Sequence, residues 1–395
     1  MGKGNNKDLR ILIINYEFPP LGGGGGIASS DLAKEWRKLA RIDVLTSSFK
    51  RLKPFEVRDE ISIYRAKTFF RKSKDAATFI SMLSFLPSAL IIGMRLFRKN
   101  RYNIINTHFA VPSGPVGYLL GKLFHTPNVL SLHGGDIYDP SKSMSPHRNV
   151  FFRIIVRFIL NRADEIIAQS SNTKLNAIKY YKPWKEIKIV PLAYHPTEIP
   201  VITRKEMKIK SDEFILITIG RLVKRKAMDV IINAISMIPD DRIQLFIVGD
   251  GPDRINLENL VKNLKLEKRI HFLGYLSDEE KYKYLSVSDI FILPSMHEGF
   301  GIVYMEAMYC GLPIVCTNHG GQTDFLINGE NAILIDVGDI KACSEAILKF
   351  YKDKEFYDNC SENNSKKIID FYAEPIAMRY IEIFRDLLSG ETIGR

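Results

Sequence analysis

Two glutamates, Glu298 and Glu306, stand eight residues apart in the stretch PSMHEGFGIVYMEAMYC. The pattern predicts a strand (DIFILP), a loop (SMHEGFG) and a helix (IVYMEAMYC), which places both carboxylates near the carboxyl end of the strand. The first N–H groups of the helix point toward the same place. Carboxylate acceptors beside backbone donors suit a sugar joined to a nucleoside diphosphate, with Glu298 on the sugar and Glu306 on the ribose.

Two cations follow another apolar run, in TIGRLVKRKAMDVII. Arg221 comes just past the predicted strand, and Lys226 comes just before a helix that starts near Met228. Fixed cations on a strand-to-helix loop can neutralise a diphosphate. Exposed cations on loops are usually only solvated. By themselves these two residues are therefore a weak indication of a binding site, and the glutamates strengthen it.

A run of glycines, Gly22 to Gly26, follows the strand ILIIN and leads into a helix that we expect to begin near Ile27. Unhindered backbone N–H groups at the amino end of a helix favour a phosphate. A merely flexible loop is the alternative.

The same run matches the dinucleotide fingerprint through Gly23, Gly25 and Ala28, which is the argument for an NAD-dependent oxidoreductase. The segment YEFPPL, however, separates the glycines from the strand. Asp43, moreover, stands at the start of the second strand, where the fingerprint needs an acid at its end. The oxidoreductase reading is therefore disfavoured.

Two histidines end apolar runs: His108 in INTHFAVPSG and His133 in LSLHGGDIYDP. A lone histidine is more often structural than catalytic. The case for His133 is better, because the glycines after it let a ligand approach the backbone and Asp136 can orient neighbouring groups. For His108 the structural interpretation stays ahead.

Continuous Ile, Val and Leu runs recur through the chain, with helical spacing between them, and the series restarts after PLAYHPTEIP. Such runs are typical of parallel strands covered by helices on both faces. At 395 residues, two domains of about 200 residues each are expected. We therefore predict two doubly wound α/β domains, residues 1–195 and 196–372, with ligands at the carboxyl ends of the strands in a cleft between them.

The excess of positive over negative charge lies in the first half of the chain. Residues 1–195 hold 31 Lys and Arg against 14 Asp and Glu, a net +17, whereas residues 196–395 hold 25 against 31, a net −6. A basic half indicates an anionic partner, such as nucleic acid, a phospholipid surface or a phosphorylated substrate. Solvated surface charge is the alternative.

The segment Ala77–Met94 has 18 residues without a charge and basic residues on both sides. Its length touches the threshold for a membrane span, but Pro87 and several serines interrupt it. Three readings stay open: a packed helix, a packed helix that also docks on a membrane surface, and a true span.

Four cysteines show neither CxxC spacing nor a disulfide framework, and the amino-terminal residues lack the apolar core of a signal peptide. Both features predict a reducing compartment. We expect a cytoplasmic protein, with work at the inner face of the cell membrane as an option.

The motifs GRLVKRK, HEGFGIVYMEA, GLPIV and GGQTDFLINGENAILI together resemble the donor-binding half of the retaining GT-B glycosyltransferases of family 4. PPLGGGGG, NTHFAVPSG and HGGD are similar to the acceptor half of that family. The resemblance runs in order over nearly the whole chain. It implies two facing Rossmann-like domains and a last helix, within residues 373–395, that returns to the first domain.

For the donor, the resemblance implies that Arg221 and Lys226 bind the diphosphate, Glu298 the sugar and Glu306 the ribose. It adds backbone amides of Gly301, Ile302 and Val303. Ala227 stands where the family usually has glycine, and Thr323 and Asp324 replace the common Pro-Glu.

On the first domain, the resemblance implies that His133 lies beside the reacting sugar and that the glycine run approaches the phosphates and the acceptor. Gly24 and Gly25 are assigned to the donor side. Gly22, Gly23, His108 and Asp136 are assigned to the acceptor side.

The predicted reaction moves a hexose-type sugar from a UDP- or GDP-sugar to an acceptor hydroxyl with retention of configuration. The chain shows no DxD motif, and paired cations can replace a metal at the leaving diphosphate, so we expect no metal and no other cofactor. The catalytic residues would be His133, Glu298, Arg221 and Lys226.

The expected partners are the nucleotide-sugar donor, a glycan or lipid-linked acceptor and an anionic membrane surface, but no nucleic acid. A nucleotide-sugar epimerase of the same fold and a non-catalytic partner of a transferase remain as alternatives.

Overall fold

A computed structural model of the chain describes residues 9–71, 78–140 and 145–390. The chain divides into two compact units, one of Met1–His195 with Phe371–Arg395 and one of Pro196–Asp370. We call them unit 1 and unit 2. The cleft that the sequence predicts between two facing domains stays a prediction.

Unit 1 contains an eight-stranded sheet. Its strands are β1 (Arg10–Asn15), β2 (Arg41–Ser47), β3 (Phe55–Arg58), β4 (Ile61–Ala66), β5 (Ile104–His108), β6 (Asn128–Leu132), β7 (Glu165–Ala168) and β8 (Ile187–Ile189). The spatial order is β3-β4-β2-β1-β5-β6-β7-β8. Neighbours are parallel except for the antiparallel pair of β3 and β4. The inner strands are buried along their length, as their continuous apolar runs predict.

Among the described residues, five α-helices of the first part of the chain cover this sheet. They are α1 (Gly24–Trp36), α2 (Phe79–Lys99), α3 (Ser113–Phe124), α4 (Val150–Arg162) and α5 (Ser171–Tyr181). Helix α2 packs against α3, where a Cβ on Gly93 would come within 2.4 Å of Leu120. Helix α3 in turn packs against α4, where a Cβ on Gly114 would come within 2.6 Å of Ile159. The three helices therefore form one close-packed layer.

Helix α2 contains most of the uncharged segment found in the sequence; residue 77 lies outside the described residues. Thr78 caps the helix in a reciprocal capping box with Ser81. Among the described residues, α2 is the one helix long and apolar enough to cross a membrane by length and composition. Phe85, Ala89 and Leu96, however, are buried in the core of unit 1. The packed readings of this segment therefore fit unit 1 better than a span does.

Unit 2 contains a six-stranded, fully parallel sheet. Its strands are β9 (Phe214–Ile219), β10 (Ile243–Val248), β11 (Ile270–Gly274), β12 (Ile290–Leu293), β13 (Ile314–Thr317) and β14 (Ala332–Ile335). The spatial order is β11-β10-β9-β12-β13-β14. The helices are α6 (Met228–Ser236), α7 (Arg254–Asn263), α8 (Asp278–Val287), α9 (Ile302–Tyr309), α10 (Ile340–Lys352) and α11 (Lys354–Lys367).

The last helix, α12 (Ala373–Ser389), belongs to unit 1 and packs against α1. The rings of Tyr380 and Phe384 meet Trp36 edge-on, with ring centroids 5.4 and 5.3 Å away. The Trp36 indole N–H also donates to the carbonyl oxygen of Ala377 at 3.1 Å. A buried aromatic cluster with a satisfied indole thus holds the chain end in unit 1.

Each sheet has a point where the strand order reverses. In unit 1 it lies between β1 and β5, and in unit 2 it lies between β9 and β12. Ligands of open α/β sheets bind at the carboxyl ends of the strands beside such a switch point. Most of the residues singled out in the sequence lie on loops or at helix starts next to these points. His108 is the last residue of β5, and Glu306 lies on the second turn of α9.

Candidate active-site residues in each unit

In unit 2, the loops that follow β9 and β12 are joined by ion pairs. The Lys226 ammonium donates to Glu298 Oε1 at 2.6 Å. The Arg225 guanidinium donates to the same oxygen at 3.4 Å and also to the carbonyl oxygen of His297. The two loops therefore present one connected cluster of charges at the switch point.

The Glu298 carboxylate is ionised although it is buried. Burial by itself raises the pKa of a carboxyl group, but Lys226 and Arg225 outweigh it and lower the pKa of Glu298 to about 2. Two cations around one carboxylate leave a net positive charge. Such a cluster can accept a bond from a hydroxyl and still attract a phosphate.

The two cations that the sequence singled out, Arg221 and Lys226, have different surroundings in the structure. Lys226 is buried and bound to Glu298, whereas Arg221 is exposed and makes no ion pair with a residue that the structure describes. Sequence reasoning missed Arg225. Its signal was present in the basic run KRK, but spacing alone cannot tell which of three successive cations turns toward the carboxylate.

Glu306 lies on the second turn of α9 and is buried. Its Oε1 accepts a hydrogen bond from the Lys281 ammonium of α8 at 2.7 Å, while Oε2 has no partner among the described residues. Burial raises the pKa of Glu306 above its ordinary value, and the Lys281 ammonium opposes that rise. A buried acceptor oxygen without a partner is available for a ligand hydroxyl. Lys281 was also missed, because it lies far from Glu306 in the sequence.

The amino end of α9 is open. Gly301 caps it at φ +94°, and no side chain caps the helix. A Cβ on Gly301 would come within 2.5 Å of the Tyr304 ring, so both the backbone angle and the space require glycine. The N–H groups of Ile302 and Val303 occupy the first turn, where helix N–H groups have no partner inside the helix.

Ala227, which replaces a common glycine, adopts a left-handed conformation with φ +50° and ψ +42°. It stands between Lys226 and the first residue of α6. Since alanine costs more than glycine in this region, the structure explains why glycine is usual at the position.

In unit 1, the switch point brings His108 and His133 together. His108 ends β5, His133 follows β6, and His108 Nδ1 lies 2.8 Å from His133 Nε2, so one ring donates a hydrogen bond to the other. Burial lowers the pKa of His133 to about 4, despite an opposing effect of Gln169. Burial and the neighbouring His133 also lower the pKa of His108 well below its ordinary value. Both rings are therefore neutral at pH 7.

The glycine run differs from its predicted form, because α1 begins at Gly24 rather than near Ile27. Gly22 and Gly23 form the loop, whereas Gly24 and Gly25 are the first helical residues. A Cβ on Gly25 would lie 2.8 Å from the Phe109 ring and 3.0 Å from His133 Nδ1. Glycine is thus needed inside the helix for close approach to the histidines, a requirement that sequence spacing does not reveal.

Asp136 binds backbone. Its carboxylate accepts from the N–H of Ala110 at 2.6 Å and from the N–H of His133 at 2.9 Å. Burial raises the pKa of Asp136 to about 6, although these hydrogen bonds oppose the rise. Asp136 therefore orients neighbouring groups by fixing the loops after β5 and β6.

The described residues contain no group of three or more His, Cys, Asp or Glu side chains that could hold a metal ion. The cysteines are free, and burial raises the pKa of Cys343 to about 12 and that of Cys360 to about 11. Thiols of this kind stay protonated and pack as core residues.

Family models match both halves of the chain. The model described as Glycosyltransferase Family 4 matches residues 22–198, and the model described as Glycosyl transferases group 1 matches residues 202–367. The N-acetyl-alpha-D-glucosaminyl L-malate synthase of Bacillus anthracis is 27% identical over 98% of this chain and 99% of its own length.

Solved structures are similar over the whole chain. A sucrose-phosphate synthase from Thermosynechococcus elongatus has a TM-score of 0.84 at 23% identity and covers 97% of this chain and 100% of its own. Anabaena HepE in complex with UDP-glucose has a TM-score of 0.76 at 20% identity and covers 96% and 100%. With two Rossmann-like domains like those of its GT-B neighbours, the chain belongs to the group 1 glycosyltransferases of family 4.

Proposed function

We propose that the protein transfers a hexose-type sugar from a nucleoside diphosphate donor, a UDP- or GDP-sugar, to an acceptor hydroxyl with retention of configuration. The observation that carries the proposal is the cluster in unit 2 that joins buried Lys226 and Glu298 with half-buried Arg225. Its net positive charge and its ionised carboxylate match the two halves of such a donor, a diphosphate and a polyhydroxylated ring.

The diphosphate would lie against Lys226, with exposed Arg221 free to close on it. The open N–H groups at the amino end of α9 add donors for phosphate oxygens. As the bond between sugar and phosphate breaks, negative charge grows on the leaving diphosphate, and these cations stabilise it. We propose that they take the place of a metal ion.

Glu298 would position the sugar rather than attack it. Its Oε1 already accepts from two cations, and a carboxylate whose pKa is about 2 is a weak nucleophile. In the reaction that we propose, the leaving phosphate takes the proton of the acceptor hydroxyl as that oxygen bonds to the sugar carbon on the same face. The relative from Bacillus anthracis is named for an alpha-glucosaminyl product. Such a product retains the configuration of an α-linked nucleotide sugar.

Unit 1 would receive the acceptor and the reacting sugar beside His133. Because its pKa is about 4, His133 is a neutral imidazole at pH 7. A neutral imidazole does not repel positive charge that develops on the sugar ring, whereas an imidazolium would. His108 would hold the ring of His133, and Asp136 would hold the loop that carries it.

The acceptor that we propose is a lipid-linked or surface glycan at the inner face of the cell membrane, because residues 1–195, which belong to unit 1, carry the net positive charge of the chain. The relative from Bacillus anthracis, in contrast, is named for a product of L-malate, a small acid. Activity with water-soluble acceptors alone, in a protein that a carbonate wash leaves fully soluble, would contradict the lipid-linked proposal.

Isothermal titration with UDP, GDP and ADP in the absence of magnesium tests the donor site. We expect micromolar binding of one nucleotide and loss of at least about tenfold in affinity in Lys226→Ala and in Glu306→Ala, since each removes a charged hydrogen-bonding group. Lys224→Ala and Glu330→Ala change exposed residues of the same kinds and should bind like wild type.

A 2′-deoxynucleotide sharpens the assignment of Glu306. If Glu306 Oε2 accepts from a ribose hydroxyl, wild type should discriminate between the ribose and deoxyribose forms about tenfold, and Glu306→Ala should bind both equally. Equal binding of both forms by wild type would refute the ribose role. Absence of nucleotide binding would reopen the non-catalytic alternative, while turnover of the donor without an acceptor would favour an epimerase.

A further inference from the structure

We infer that α2, α3 and α4 together form a docking face for the surface of an anionic lipid bilayer. This inference names the surface for the membrane contact proposed above and rests on that part of the proposed function, not on sugar transfer. The face is defined by the outward residues Ile80, Leu83, Pro87 and Ile91 of α2, Leu119 and Leu123 of α3, and Val150, Phe151, Ile154 and Phe158 of α4.

The outward stripe of α2 is apolar for most of its length. Ile80, Leu83 and Ile91 recur at the spacing of one helix face and are exposed, Ile80 by 54% and Leu83 by 50%. The same stripe ends in exposed Arg95 and Arg98. The solvent side of a surface helix is normally polar, so this stripe needs a partner.

Helix α4 repeats the pattern. Phe151 is 66% exposed and Ile154 is 63% exposed, with Phe158 one turn further on. Arg157 and Arg162 lie among and after these side chains and are exposed as well. An apolar stripe bordered by arginines is typical of helices that lie in the plane of a membrane interface.

Contacts join the helices into one surface. The Phe79 ring of α2 meets the Phe152 ring of α4 with centroids 5.6 Å apart. The Tyr118 ring of α3 meets the Phe158 ring of α4 with centroids 5.2 Å apart. The apolar stripes are therefore neighbours and form a patch rather than scattered single residues.

The charge of the docking face indicates which kind of partner binds it. None of the three helices contains an Asp or Glu. From residue 61 to residue 163 the chain has 15 Lys and Arg but only three acids. Two of these, Asp136 and Asp139, are buried, and Asp75 lies outside the described residues. A second copy of the same face would bring like charges together, whereas an anionic bilayer offers both the opposite charge and an apolar interior.

A cavity of about 490 Å³ lies beside α2 at the carboxyl ends of β2 and β4. It shares Ile91 and Arg95 with the outward stripe of α2, and Lys50 and Lys67 also line it. These three cations make no ion pair with a residue that the structure describes. The cavity can therefore hold the phosphate of a lipid head group at the border of the docking face.

The inner side of α2 limits the mode of binding. Phe85, Ala89 and Leu96 are buried against the sheet of unit 1, and a span would expose the core that they fill. The helix therefore lies on the bilayer and keeps its packing.

Vesicle sedimentation tests the inference on the full chain. We expect wild type to sediment with phosphatidylcholine vesicles that contain phosphatidylglycerol, weakly with phosphatidylcholine alone, and less as salt rises. Leu83→Glu/Ile154→Glu should lower sedimentation at least about tenfold, because two apolar side chains leave the interface and two like charges enter it. Arg95→Gln/Arg157→Gln should lower binding to anionic vesicles only.

The matched control is Ile255→Glu, which changes a 70% exposed isoleucine on α7 of unit 2. It should bind vesicles like wild type, and all variants should keep the thermal midpoint and the nucleotide affinity of wild type. Failure of wild type to bind anionic vesicles, or equal binding by the Glu variants and the control, would overturn the inference. The inference would also be overturned if wild type did not bind vesicles but formed a concentration-dependent dimer that Leu83→Glu/Ile154→Glu abolishes. Loss of nucleotide binding alone would count against the proposed function and not against the docking face.

Discussion

The two switch points of this protein differ in charge: that of unit 2 holds ion pairs, whereas that of unit 1 holds neutral histidines. At the switch point of unit 2, Glu298 is held ionised by Lys226 and Arg225, and Glu306 is paired with Lys281. At that of unit 1, burial keeps both His108 and His133 neutral. The same topology thus supports a charged site in one unit and an uncharged one in the other.

The difference fits the roles proposed above, with the donor in unit 2 and the acceptor in unit 1. A diphosphate donor carries charge that needs fixed counter-charge, whereas an acceptor hydroxyl and a sugar ring are neutral before the reaction. Fixed charges in unit 2 are costly to bury one at a time, so they occur as pairs. In unit 1, the same desolvation is avoided because the groups stay uncharged.

Removal of one partner of the ion pair in unit 2 should have the largest effect. Lys226→Met leaves Arg225, at the longer distance, as the remaining cation beside the buried Glu298 carboxylate. Loss of one partner of a buried pair costs about 3–5 kcal/mol. We expect the free energy of unfolding of unit 2 to fall by about 3 kcal/mol, measured by urea unfolding followed by hydrogen exchange in unit 2.

A double variant separates pairing from binding. Lys226→Met/Glu298→Gln removes both charges and should recover much of the lost stability, but not the nucleotide affinity, since the diphosphate still lacks its cation. Lys224→Met, next to the site but exposed, should match wild type in both measurements. Simple addition of the two single effects in the double variant would show that Lys226 and Glu298 are not coupled.

Most of the fold could be predicted because parallel, doubly covered strands have continuous apolar runs. Twelve of the strands, among them β1, β9 and β12, coincide with such runs in the sequence. The hairpin of β3 and β4 was missed, since FEVR is largely exposed and alternation in ISIYRA is a weaker signal than an unbroken run. An edge hairpin depends on pairing, which the local sequence does not record.

The candidate site could be predicted to the level of loops but not of atoms. Glu298 and Lys226 lie on the predicted loops at the switch point of unit 2, yet their contact joins residues far apart in the chain. Arg225 and Lys281 were missed for the same reason. The helical start at Gly24 was missed because glycine normally disfavours a helix, and the close approach of Phe109 and His133 overrides that preference.

Acid should destabilise the two units over different pH ranges. The pKa of His133 is about 4 when folded and about 6.5 when unfolded, so the unfolded chain binds more protons between these values. The free energy of unfolding of unit 1 therefore falls as pH drops from about 7 to about 4. The pKa of Glu298 is about 2 when folded, so the stabilisation that its ionised carboxylate gives to unit 2 is lost only as pH drops below about 4.3. Both tryptophans, Trp36 and Trp184, belong to unit 1, so their fluorescence reports its unfolding.

Two variants with opposite expected effects on the pH dependence of unit 1 test whether these buried groups control its acid unfolding. His108→Gln/His133→Gln should flatten the decline of the tryptophan midpoint between pH 7 and pH 4. Asp136 acts the other way, because its pKa is raised to about 6, so the folded state takes up its proton first and gains stability as pH falls toward 4. Asp136→Asn should therefore steepen the decline. Equal slopes in all three proteins would mean that other groups control the acid unfolding of unit 1.

The smallest expected effect concerns the backbone that presents Lys226. The loop after β1 in unit 1 uses glycine for its left-handed residue, Gly22 at φ +90°, whereas the loop after β9 in unit 2 uses Ala227 at φ +50°. Ala227→Gly relieves a strain of about 1–2 kcal/mol, but it also removes a buried methyl group and loosens the unfolded chain. Ala234→Gly, inside α6, incurs the same two losses with no strain to relieve. We expect Ala227→Gly to be the more stable of the two variants by about 1–2 kcal/mol in urea unfolding, with unchanged nucleotide affinity. Equal stabilities would mean that Ala227 is not strained and that the loop of unit 2 tolerates a side chain where the loop of unit 1 does not.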